Sequence, residues 1–128
     1  MKVESGLGFL SKSIVADKSF NFAVRVVNLY KYLSYEKKEF VLSKQLLRSG
    51  TSIGANVSEA LQGQSKRDFL MKMNIALKEA SETKYWLRLL RATDYLTDKE
   101  QLSIFENCIE LEKLLTSIVK TTSEKTLR

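Results

Sequence analysis

The chain predicts an all-α fold, an up-down-up-down antiparallel four-helix bundle, and three observations carry that reading. Its 128 residues include no proline and only five glycines, so little interrupts a helix. Apolar residues recur at spacings of three and four through four long segments, the period of one helix face. The links between segments are short, and short links between long helices make neighbours antiparallel. A chain of this length forms one domain with a real core.

Residues 1–13, with Gly6, Gly8 and several serines, read as a flexible N-terminal arm. Helix 1, residues 14–33, is apolar on two opposite faces. Phe20, Ala23, Val24, Val27 and Tyr30 form one stripe. Phe22, Val26, Leu29 and Leu33 form another, displaced by roughly 200° around the axis. Only Asn21, Arg25, Asn28 and Lys31 make a narrow polar seam. An outer helix of a small bundle needs one apolar stripe. The second therefore reads as a subunit interface, to which Phe22, Val26, Leu29 and Leu33 are assigned.

Helix 2, residues 37–62, puts Leu42, Leu46, Ile53, Val57 and Ala60 on one face. Gly50 and Gly54 lie inside it, each costing about 1 kcal/mol against alanine. A kink, a break or a close helix contact is expected there. Ser52, Asn56 and Glu59 share one edge. They suit either a site for a polar ligand or a cluster satisfied within the protein. The second reading is favoured, because unpaired buried polar groups are costly. Gly63 is placed to end the helix.

Helix 3, residues 65–93, opens with a capping pair, Ser65 and Asp68. Phe69, Met73, Ala76, Ala80, Thr83, Leu87 and Leu90 form its core stripe. Met71, Ile75, Trp86 and Leu89 widen the apolar surface, and Ile75, Trp86 and Leu89 join the expected interface. After the turn at 94–96, Thr97 and Glu100 form a capping box for helix 4, residues 97–121. Ile104, Cys108, Leu111, Leu115 and Ile118 are its stripe, and residues 122–128 are a polar tail.

Composition narrows the function. Histidine is absent, which removes the commonest general base and metal ligand. The single cysteine, Cys108, permits no internal disulfide or zinc–thiolate cluster and sits where a packed core thiol belongs. Glu59 has neither a second acid nor a nucleophile beside it. The expectation is a non-enzymatic protein with no metal or cofactor. Cysteine usage fits the cytoplasm, and no apolar run suits a signal peptide or a membrane span.

The net charge of +6 is concentrated in residues 1–35 and 65–95, each with an excess of +3. On helix 3, Arg67, Asn74, Lys78, Ser81, Tyr85 and Arg88 share one face, with Lys44, Arg48 and Lys66 nearby. Bases for phosphates and a tyrosine for stacking suit a nucleic-acid surface. An ordinary solvated face is the competing reading.

Two stretches carry a family resemblance. Gln45-Leu46-Leu47-Arg48-Ser49-Gly50-Thr51-Ser52-Ile53-Gly54-Ala55-Asn56-Val57-Ser58-Glu59-Ala60 resembles Q-L-x-R-x-x-x-S-I-x-A-N-I-x-E-G. Lys66-Arg67-Asp68-Phe69, with Ile75-Ala76-Leu77-Lys78-Glu79-Ala80-Ser81-Glu82-Thr83, resembles K-x-F-x-x-x-x-x-I-A-x-x-S-x-x-E. Together they are similar to the bacterial four helix bundle protein family, also called the 23S rRNA intervening-sequence protein family. A relative of that family is the accessory variability determinant protein of diversity-generating retroelements. The resemblance spans residues 18–120. It implies a bundle assembled as a ring-like oligomer, commonly a homopentamer. For some members it implies basic surfaces that bind RNA or DNA and a reverse-transcriptase partner. The chain departs from the pattern at Gly54, where proline is usual, at Ala60, where glycine is frequent, and at Leu33-Ser34-Tyr35, which replaces a Phe-Pro link.

The expected function is therefore an oligomeric accessory protein binding RNA or an RNA–DNA hybrid. The alternative is a protein–protein scaffold ring without nucleic-acid binding.

Overall fold

The computed structural model describes residues 6–126. Four helices occur among them: α1 (Gly6–Tyr35), α2 (Leu42–Leu61), α3 (Lys66–Ala92) and α4 (Asp98–Thr126). Side-chain contacts fix their directions. Val26 lies at Gly50 while Ser19 lies at Gly54, so α1 and α2 are antiparallel. Ser49 meets Thr83 and Glu59 meets Lys72 across α2 and α3. Cys108 meets Ala80 while Asp98 meets Arg91 across α3 and α4. Tyr32 bonds Glu100 and Lys18 pairs with Glu110, closing the bundle between α1 and α4. The up-down-up-down order is thus observed.

The core forms where the four stripes converge. Val15, Phe22, Val26 and Leu33 come from α1, and Leu46, Ile53 and Val57 from α2. Met73, Ala76, Ala80, Leu87 and Leu90 come from α3, and Ile104, Cys108, Leu111 and Leu115 from α4. Each of the larger of these side chains, Val, Leu, Ile, Phe or Met, contributes about 1.5–3 kcal/mol relative to exposure. The α1–α4 seam is the sparsest of the four. It is polar: Arg25 donates to Asn107 and, at 3.1 Å, to Ser103.

This arrangement corrects the interface assignment on helix 1. Phe22, Val26 and Leu33 are buried in the subunit's own core, and Leu29 packs against it. The outward stripe is the other one, where Phe20 is 67% exposed and Val24 is also exposed. The polar seam, through Arg25, turns toward α4 and so fixes which stripe faces inward.

Three boundaries differ from the sequence reading. α1 begins at Gly6, so the expected arm is helical from that residue, and Lys12 lies over the Phe69 ring at 4.9 Å. Residues 1–5 and 127–128, the outer parts of the expected arm and tail, lie outside the described residues. α4 continues to Thr126. α2 starts at Leu42 rather than at 37, because Lys38 adopts a left-handed φ of 55° and Glu39 caps the helix. The Glu39 carboxylate accepts from the backbone N–H groups of Val41 (3.0 Å), Leu42 (3.0 Å) and Ser43 (2.6 Å). These donors would otherwise be orphans of the helix start.

The sequence-read caps at the other two starts are present. Ser65 accepts from the Asp68 N–H at 3.1 Å. Thr97 and Glu100 bond reciprocally, at 2.8 and 3.1 Å. Between them α3 ends with Asp94 at φ 66°, its N–H on the Arg91 carbonyl at 3.2 Å and the Tyr95 N–H on the Leu90 carbonyl at 3.0 Å, a six-to-one closure. Gly63 is not left-handed, and α2 ends through bonds of Gln62 and Gly63 to Glu59 and Ala60 carbonyls.

α2 runs unbroken through both interior glycines. The break offered by the sequence is absent, and the close helix contact is present. A β-carbon at Gly54 would come 3.2 Å from the Ser19 carbonyl oxygen, and Gly50 is tighter still against Val26.

Candidate nucleic-acid interface

The basic face of α3 is built by phase. Met73, Ala76, Ala80, Leu87 and Leu90 are buried, while Arg67, Asn74, Lys78, Ser81, Tyr85 and Arg88 are all exposed on the opposite side. With a rise of 1.5 Å per residue, the stripe from Arg67 to Arg88 is about 30 Å long. Arg67, Lys78 and Arg88 make no ion pair with another described residue, and the stripe carries no carboxylate of its own. Tyr85 meets Trp86 edge-on, with ring centroids 5.1 Å apart, and remains exposed. Ser81 donates to Glu112 at 2.7 Å, and Lys84 meets the same carboxylate at 2.9 Å, so the α4 side of the stripe is internally paired.

Lys44 and Lys66 are exposed. Arg48 differs from them, because its guanidinium spans from α2 to Glu82 and, at 3.4 Å, to Glu79 on α3. Glu82 also accepts from the Trp86 indole N–H at 3.0 Å. That indole bond and the Arg48 pair, acting against burial, hold the Glu82 carboxyl below its ordinary range. Glu82 raises Arg48 in turn. Arg48 is therefore a cross-helix tie, and the charge it adds to the surface is largely offset.

Ser52, Asn56 and Glu59 do not converge on one another. Ser52 donates to the Arg48 carbonyl at 2.5 Å, and Asn56 donates to the Ser52 carbonyl at 2.8 Å. Glu59 pairs with Lys72 at 3.5 Å. Ser52 and Asn56 are thus bonded within α2, while Glu59 is exposed, so the three form no shared cluster. Of the remaining expected interface residues, Ile75, Trp86 and Leu89 are half-buried on the α3 flank toward α2. Cys108 is packed, and its thiol donates to the Ala80 carbonyl at 3.3 Å. Burial, with Glu112 nearby, pushes that thiol up to about 12. Among the described residues no carboxylate and cysteine group is arranged to hold a metal ion. No helix among them is long and apolar enough to cross a membrane.

Sequence reasoning missed the Glu39 cap and the two carboxylates that hold Arg48. The Glu39–Ser43 spacing signals the first. No local pattern signals the second, since the partners lie 31 and 34 residues away.

Fold and surface thus define an antiparallel helical bundle with one unpaired basic helix face and one exposed apolar helix face. The chain belongs to the 23S rRNA-intervening sequence protein family, whose sequence pattern matches residues 11–117. Among solved structures it is similar to a protein of unknown function from the S23 ribosomal protein family of Bacteroides thetaiotaomicron VPI-5482. The identity is 60%, the TM-score is 0.85, and the match covers 86% of this chain and 98% of that one. No curated protein sequence matches the chain.

Proposed function

We propose that this protein is a non-enzymatic, oligomeric accessory protein that binds nucleic acid, RNA or an RNA–DNA hybrid, through the outward face of α3. The observation that carries the reading is the stripe of Arg67, Lys78 and Arg88, unpaired and free of carboxylates, with exposed Tyr85 between them. Lys44 and Lys66 extend it. Such a face binds phosphates with little regard to sequence. The family description, which refers to an intervening sequence of 23S rRNA, points the same way.

Three bases about 15 Å apart hold a polyanion weakly at physiological ionic strength. Copies joined in a ring, most simply the homopentamer that the family resemblance implies, repeat the stripe and raise the avidity. The exposed Phe20 and Val24, together with the flank of Ile75, Trp86 and Leu89, supply apolar surface for that assembly. The same surface supports the second reading, a protein scaffold in the cytoplasm, because Trp86 and Arg48 are residue types that anchor protein interfaces. Fluorescence anisotropy with labelled RNA, duplex DNA and hybrid separates the two. A nucleic-acid binder shows a salt-dependent shift, and a pure scaffold shows none.

A further inference from the structure

The connection between α1 and α2 presents three large apolar side chains to solvent. Tyr35 is 67% exposed, Phe40 54% and Val41 71%. They are clustered within seven residues, which is not the scattered exposure expected of an ordinary surface. The connection is also rigidly built. Glu39, between the lysines and Phe40, is buried, and its carboxylate is held by three backbone N–H groups. The Glu39 N–H itself bonds the Leu33 carbonyl at 2.9 Å. Lys38 is held at φ 55°, a conformation uncommon for a side-chain-bearing residue. Lys37 lies over the Tyr32 ring at 5.7 Å. The rings of Tyr35 and Phe40 are therefore presented outward from a fixed backbone.

Charge indicates what the cluster meets. Lys31, Lys37, Lys38 and Lys44 are exposed on and beside it, against the exposed carboxylates of Glu36 and of Glu100, which accepts from Tyr32 and is drawn toward Lys37. Glu39 is spent on the cap. The register that sets Ser49 against Thr83 and Glu59 against Lys72 places Lys44 level with Arg88. The connection thus lies at the end of the bundle where α3 terminates, past the height of Arg88. Aromatic rings among cations suit bases that are not stacked in a duplex, the rings taking the bases and the lysines the phosphates.

We infer that the Tyr35–Val41 connection is a stacking platform for unpaired nucleotides, so that the ligand is single-stranded RNA or an unpaired loop within structured RNA. The inference rests on the nucleic-acid reading above and adds the strandedness of the ligand. A purely electrostatic surface favours a duplex, with its denser charge, over a single strand. Preference for the single strand is therefore diagnostic.

The test measures anisotropy with one RNA sequence, single-stranded and as a duplex of equal length, at matched salt. The full chain is expected to bind the single strand about tenfold more tightly. Tyr35→Ser with Phe40→Ser is expected to abolish that preference while leaving duplex affinity and helicity unchanged. Should the double variant lose helicity, Phe40→Leu keeps the apolar bulk, removes the ring, and is expected to lower single-strand affinity alone. Equal or tighter duplex binding by the full chain overturns the platform but leaves the α3 reading standing. Retention of the preference in a folded variant overturns it too. Binding to phosphatidylserine vesicles in place of single-stranded RNA also overturns it. Failure to bind either RNA overturns the platform, and failure to bind the RNA–DNA hybrid as well overturns both readings.

Discussion

A β-carbon on Gly50 would lie 2.7 Å from both γ-carbons of Val26. Val26 is β-branched and buried, so it has no room to turn aside. α1 and α2 therefore approach as closely as they do because position 50 has no side chain. Alanine favours a helix interior over glycine by about 1 kcal/mol, yet overpacking here costs about 1–3 kcal/mol. Gly50→Ala should destabilise the protein, and the cost should shrink in a Val26→Ala background. A double-mutant cycle by urea denaturation reads the coupling. Additive effects would mean that the contact is looser than described.

The Glu39 cap gives a pH signature. Burial opposes its ionisation, but the N–H groups of Ser43, Leu42 and Val41 outweigh that and hold the carboxyl below its ordinary 4.5. A depressed folded value means that the stabilisation is present above the unfolded value and is lost as pH falls through the folded one. Glu39→Gln should cost about 1–3 kcal/mol at neutral pH. The gap to the parent should close on acidification, as measured by thermal melts across pH.

Cys108 should be inert in the folded protein. Its thiol is buried, bonded to the Ala80 carbonyl and pushed up to about 12. Aromatic disulfide reagents at mildly alkaline pH should label it only as fast as the bundle opens, with full reaction in denaturant. Rapid labelling without denaturant would show that the α3–α4 seam breathes independently.

Oligomerisation should depend on the outward stripe of α1. Phe20→Glu with Val24→Glu should shift the protein toward monomer by light scattering while helicity stays unchanged. Val26→Glu should instead unfold the subunit, since it puts a charge into the core. A clean monomer in the parent protein at micromolar concentration would contradict the assembly itself.

The fold was legible because it rests on period. Four stripes at helical spacing and the Ser65–Asp68 and Thr97–Glu100 caps appear in the sequence and again in the structure. Which stripe of α1 faces inward was not legible. Phe20 and Phe22, Val24 and Val26 are equally apolar, and period gives a direction only relative to a partner. The answer lay in long-range complementarity, Val26 against Gly50 and Arg25 against Asn107. The start of α2 was misplaced because a buried glutamate acting as a cap resembles any charged residue in a helical pattern. The α3 face was legible because its bases keep the helical period opposite the core. The commitment of Arg48 to Glu79 and Glu82 was not, because those carboxylates meet it only once the helices pack.

The central claim is that the α3 face binds nucleic acid, and a salt titration of RNA binding tests it most directly. Affinity of the parent protein should fall steeply as salt rises, with log affinity linear in log salt. Replacing Arg67, Lys78 and Arg88 together by glutamine should flatten that slope and weaken binding, with helicity and oligomer size unchanged. Arg48→Gln, which removes a charge already paired, should change affinity much less. RNA binding that is absent at low salt, or equal in parent and triple variant, would contradict the account.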